Sequence, residues 1–184
     1  MKRISLLLAT VVLAMTAAAR AAEPPPEDDA PRTPVPAVAP ARVPSADEAR
    51  AAYAAFRADP LARLDRTDPF LRFIRDSGEV HMVLNNDLMA WMYQPFDDTL
   101  KAVLYASYLG GNMEAQLAHQ DPLSSGDDVA GMASALDAYA AIQKAHADFR
   151  LPMFEDLKTA QAAHRLDAAV MAIVRPASGN DAAK

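Results

Sequence analysis

Four polar side chains fall where helical periodicity places apolar ones, and they are the residues of this chain best suited to chemistry. Over Glu79–Tyr93 a helical wheel groups Val80, Leu84, Leu88, Trp91 and Met92 and sets His81 and Asn85 among them, one turn apart. Further on, His146 falls beside Tyr139, Ile142 and Phe149 rather than with Lys144 and Asp148. If the two helices pack together, His81, Asn85, Tyr139 and His146 line one pocket. There the imidazoles of His81 and His146 would hold a first-row metal, or one of them would act as a general base. The ordinary reading competes: a buried polar group costs about 1–3 kcal/mol unless it is hydrogen-bonded, and satisfied core histidines give the same pattern. His119 and His164 fall on solvent faces.

Other residue groups invite a functional reading and a plainer one. Met82, Met89 and Met92 crowd one stretch, and thioethers bind soft Cu(I), but methionine also fills gaps in helical cores, which is the expectation here. Trp91, Tyr93 and Phe96 gather at a helix end. Exposed, they form a contact patch of the kind enriched at binding hot spots; buried, they form a corner where two helices meet. Arg50, Arg57, Arg63, Arg66, Arg72 and Arg75 are interleaved with Asp47, Glu48, Asp59, Asp65, Asp68 and Asp76, the pattern of a solvated, ion-paired surface. Tyr108-Leu109-Gly110-Gly111-Asn112 followed by Gln116 reads as a helix stop and a new cap. The chain has no G-x-S-x-G elbow, S-x-x-K, H-E-x-x-H, P-loop, dinucleotide fingerprint, EF-hand loop or E-x-x-H pair. No catalytic residue, cofactor or firm metal site is therefore assigned.

The elements that must position these residues follow an export signal. Lys2 and Arg3 precede a nearly all-apolar run from Ile4 to Ala18, and Ala19-Arg20-Ala21 offers the small-x-small pattern of a cleavage site. Residues 1–21 read as a signal peptide. The competing reading is an uncleaved anchor holding the domain on a spacer, although the run falls short of the ~20 residues that span a bilayer. Residues 22–44 are rich in proline and alanine, a composition that favours extended polyproline II and predicts a disordered linker.

The chain has no cysteine, so it uses no disulfide and holds no thiolate zinc, iron–sulfur or covalently attached haem. Removing Lys2, Arg3 and Arg20 with the leader leaves 15 basic residues against 24 acidic ones, a net charge of −9, which disfavours nucleic acid and anionic membrane surfaces as partners. The short leader and the wealth of alanine and arginine point to a GC-rich bacterium and a periplasmic or secreted product.

Residues 45–175 read as one all-α domain, an irregular bundle or orthogonal array of about five to six helices. The expected helices are Ser45 to Asp59, with a capping box through Glu48; Asp68 to Gly78; Glu79 to Tyr93; Asp97 to the Gly110-Gly111 pair; Asn112 to Gln120; Asp127 to Phe149; and one after Pro152, either kinked near Thr159 or with its two halves packed on different neighbours, and closed by Pro176. Residues 176–184 read as a loose tail. The leading functional expectation is a binding protein for an unknown protein or envelope component, with no stable membrane insertion after cleavage. The alternative is a small-molecule or metal-binding protein, or an enzyme, using the four-residue pocket.

Overall fold

The first helix forms where the sequence provides a reciprocal cap. In the computed structural model, which describes residues 42–119 and 126–175, the Ser45 hydroxyl accepts the Glu48 N–H at 3.3 Å and the Glu48 carboxylate accepts the Ser45 N–H at 2.8 Å. Helix α1 (Ala46–Ala58) follows and buries Ala49, Tyr53 and Phe56. A turn of 3-10 helix (Leu64–Arg66) leads into α2 (Thr67–Asp76), which buries Phe70 and Phe73. The expectations for residues 1–41, Gln120 to Ser125 and 176–184 lie outside the described residues.

The predicted third helix is absent. Residues 77–89 contain no helix, and only a short 3-10 turn, Ala90–Tyr93, follows. Val80, His81, Val83, Asn85, Asn86 and Asp87 are weak helix formers, and the Asn85 side chain takes local N–H groups for itself, accepting from Asp87 at 2.9 Å and Leu88 at 3.0 Å.

The opposite correction applies next. Helix α3 (Asp98–Ala118) starts where Asp97 accepts the N–H groups of Thr99 and Leu100, and it runs through Gly110 and Gly111 without a break. Two expected helices are one. The glycines serve close packing rather than termination: a Cβ on Gly110 would run into the Tyr53 ring, and one on Gly111 would stand 2.8 Å from the Ala130 carbonyl oxygen. Helix α4 (Asp128–Ala145) is capped by Asp127, whose carboxylate accepts the Ala130 N–H at 2.9 Å, and it stops four residues before Phe149.

What reads as one kinked helix is two, α5 (Pro152–Ala162) and α6 (Leu166–Val174). Between them His164 takes a left-handed backbone (φ 56°), its N–H bonds Gln161 O at 3.0 Å, and the Arg165 N–H bonds Ala160 O at 2.8 Å. That is a Schellman-type stop with histidine where glycine is usual.

The described residues therefore contain six α-helices and no strand. Helix α3 is the shared wall, with Ala106 to Met113 buried without exception. Its Ala106 and Met113 join the aromatic cluster of α1 and α2, and its Val103, Leu104 and Tyr108 join a larger core with α4, Trp91, Phe154 and Val170. No helix among the described residues is long and apolar enough to cross a membrane.

Candidate functional site

The most unusual surface is the non-helical segment between α2 and α3, held by a few strong anchors. Val80, Leu88, Met89 and Trp91 are buried. The main chain of His81 is clamped by one side chain: its N–H donates to Gln116 Oε1 at 2.8 Å, and its carbonyl accepts from Gln116 Nε2 at 2.9 Å. Gln116 Nε2 also donates to Asn112 Oδ1 at 2.7 Å, and that oxygen accepts the Asp127 N–H at 3.0 Å. Two buried amides, one turn apart on α3, thus tie the segment to the start of α4. Gly126 makes room for them with a positive φ of 83°, since a Cβ there would stand 3.0 Å from Asn112 Oδ1 and 3.1 Å from His81 O.

Between these anchors the chain is open. Residues 81–85 form neither helix nor turn, and the main-chain groups of Met82, Val83 and Leu84 make no hydrogen bond among the described residues. Val83 is 60% exposed and Leu84 41%. Beside them lies a cleft of about 540 Å³, walled by Val83, Leu84, Asn85 and Asp87 from the segment, Asp127 to Val129 from α4, and Met171, Val174 and Arg175 from the end of α6. That volume lies within the range of small-ligand clefts, ~300–1,000 Å³.

The polar groups of the cleft are unequally engaged. Asp127 caps α4, and Asp128 accepts the Tyr108 hydroxyl. Burial first, and that bond second, push the Tyr108 pKa well above its ordinary value, so the phenol stays protonated and donates. The Asp87 carboxylate has neither a hydrogen bond nor a cation within 4 Å among the described residues, and Arg175 is the one basic residue of the lining.

The structure disperses the four residues expected to line one pocket if the two helices packed together. With no helix over residues 79–93, the wheel that made His81 and Asn85 neighbours does not exist. His81 is held by its main chain and its side chain is exposed. Asn85 lines the cleft, and its Nδ2 lies 3.5 Å from Val174 O. Tyr139 is buried, donates to Glu155 at 2.6 Å and accepts the Leu151 N–H at 3.0 Å. Burial and the carboxylate bond push the Tyr139 pKa up to about 12, and the same bond holds the Glu155 carboxyl below its usual range. His146 ends α4, exposed. Among the described residues no group of three histidine, aspartate or glutamate side chains is placed to hold a metal ion.

The aromatic trio also separates. Trp91 is fully buried, edge-on to Phe154 with ring centroids 5.6 Å apart, and its indole N–H finds no partner among the described residues. Phe96 packs edge-on to Phe149 under Lys101, while Tyr93 is 81% exposed. Met89 is buried and Met82 and Met92 are partly buried against the cores. Of the arginines, Arg50, Arg66, Arg72 and Arg75 pair within their own helix or turn, and Arg57 reaches Asp137 of α4 at 3.0 Å and Glu114 of α3 at 3.8 Å. That last bridge closes over a smaller groove where Tyr53 and Ser134 share a buried hydroxyl pair.

Sequence reasoning read Gln116 and Asn112 only as parts of a helix stop and new cap, placed Leu84 on a core face and passed over Val83. The signal for the first two was their spacing of four on a helix, two amides on one face, which is visible only once the glycines before them are known not to end that helix. No known family model, curated protein or solved structure matches this chain.

Proposed function

We propose that this chain is an exported, all-helical binding protein of a bacterial periplasm or exterior, and that it recognises a protein or envelope component through the segment Val80–Phe96. One observation carries the reading. The large hydrophobic residues left exposed among the described residues are Val43, Val83, Leu84 and Tyr93, and three of these four fall on that one segment. Scattered exposed apolar residues need no explanation, but three on one short stretch of chain, two of them walling a cleft, are the form recognition sites take. The contact patch moves accordingly: Tyr93 stays in it, Phe96 lies at its rim, Trp91 becomes its foundation, and Val83 and Leu84 join it.

The leader and the proline-rich stretch support export, with residues 1–21 removed and residues 22–44 acting as a spacer. A net charge of −9 after cleavage argues against nucleic acid as the partner. The volume of the cleft favours a second reading, a small molecule bound beside Asn85.

The test compares wild type with a Val83→Ser/Leu84→Ser/Tyr93→Ser variant, each immobilised and exposed to envelope extract from the producing cell. Wild type should retain a discrete partner that the variant loses by about tenfold or more, with matching melting temperatures, because burial of these side chains would drive the contact. Equal retention by both would end the proposal. A small molecule would instead raise the melting temperature of the isolated protein in a ligand panel.

A further inference from the structure

We infer that the open run Met82–Leu84 is a docking edge for an extended peptide that carries a basic side chain between apolar ones, the peptide pairing its main chain with the edge and seating side chains in the cleft. The inference rests on the binding reading above and gives the partner its chemistry. Three independent observations meet at this place.

The first is main-chain supply. Backbone N–H and C=O groups in folded proteins nearly always have partners, and here three consecutive residues have none among the described residues. An unpaired, unturned run is the template to which a further strand adds, the main-chain bonds giving affinity and the alternate side chains giving specificity. The second is pre-organisation. Gln116 clamps His81 on one side of the run, and the Asn85 side chain with the Asn85 O to Met89 N–H bond fixes the other, so docking would order little that is not already held.

The third observation is charge. Three carboxylates, Asp87, Asp127 and Asp128, face one guanidinium, Arg175, across the cleft. Asp127 and Asp128 sit in the first turn of α4, where the helix dipole and the bonds to Ala130 and Tyr108 engage them. Asp87 has no such relief among the described residues. On α1 and α2, by contrast, Asp47, Glu48, Asp68 and Asp76 each have an arginine within 4 Å. A lysine or arginine brought in between apolar residues would complete the pattern at Asp87 while its neighbours cover Val83 and Leu84.

The experiment measures binding of three synthetic heptapeptides to the purified protein by fluorescence anisotropy: one alternating valine and lysine, one with glutamate for lysine, and the lysine peptide with alternate main-chain nitrogens methylated. The lysine peptide should bind, and glutamate replacement and N-methylation should each weaken it by about tenfold or more. Leu84→Pro, which removes one N–H of the edge, should weaken the lysine peptide similarly, and Asp87→Asn should bring the lysine and glutamate peptides closer together. The methylated peptide asks the main-chain question without altering the protein, so a folding defect in a variant cannot mask the answer. Equal binding of the lysine and glutamate peptides, equal binding of the methylated one, or no binding at millimolar peptide would overturn the inference. If no peptide binds while the triple-serine variant still loses its envelope partner, the surface reading stands and edge pairing falls. If the serine variant keeps that partner, the surface reading itself falls.

Discussion

Helix α3 and the segment Ser77–Tyr93 both plant large side chains in the same interior, and they do so by opposite means. In α3 the main chain between its ends is occupied by the helix's own hydrogen bonds, and small residues let the neighbours approach: Gly110 lies against Tyr53, Gly111 against Ala130 and Ser134, and Gly131 of α4 against Tyr108. In the segment the side chains of Val80, Leu88 and Trp91 do the anchoring, one glutamine holds the main chain, and Met82 to Leu84 have no main-chain partner among the described residues. The contrast teaches that an ordered place in a fold does not require regular secondary structure. Where order comes from side-chain anchors, the backbone remains available to something else.

Substitutions can break this contrast, beginning with the largest effect. Trp91→Ala removes the main anchor of the segment and should cost about 3–5 kcal/mol, read by urea unfolding. An effect under about 1 kcal/mol would mean that the segment is held elsewhere. Gly111→Ala tests whether α3 needs its glycines. On an exposed helix the change gains about 1 kcal/mol, whereas here the new Cβ meets Ser134 and the Ala130 carbonyl, and a net loss of about 1–3 kcal/mol is expected. The sign alone decides. Gln116→Ala should cost about 1–3 kcal/mol by stranding Asn112 and freeing His81, with hydrogen exchange rising at His81 rather than throughout the fold. Leu84→Pro should have the smallest effect, under about 1 kcal/mol, because the N–H it deletes has no partner among the described residues. A helix interior would lose about 3 kcal/mol or more for the same change.

Much of the scaffold was legible because its signals are local. The Ser45–Glu48 box, the Asp97 cap and the Asp59-Pro60 stop each act within one turn, and each sits where its chemistry placed it. The failures are equally local in origin. A wheel drawn over residues 79–93 assumes the helix it is meant to reveal, and Asn85 and Gln116 overrule it from outside the periodicity. Gly110-Gly111 carries the composition of a stop but the role of a contact surface, and only the partners Tyr53 and Ser134 distinguish the two. The break at His164 was misplaced near Thr159 because a left-handed histidine leaves no mark in the sequence comparable to glycine's. The candidate site was legible only as a neighbourhood. Tyr93 and Asn85 were found, whereas Val83 and Leu84 were passed over because, on a helix, Leu84 belongs inside.

Trp91 has a consequence for the optics of the molecule. The chain holds one tryptophan, fully buried within the segment Ser77–Tyr93 and without a hydrogen-bond partner for its indole N–H among the described residues. An indole so enclosed emits toward the blue and shifts red once water reaches it. The protein therefore carries a built-in lamp at the buried anchor of that segment. A peptide settling on the edge should leave its colour unchanged, and a segment lifting away should redden it before the helices around it unwind.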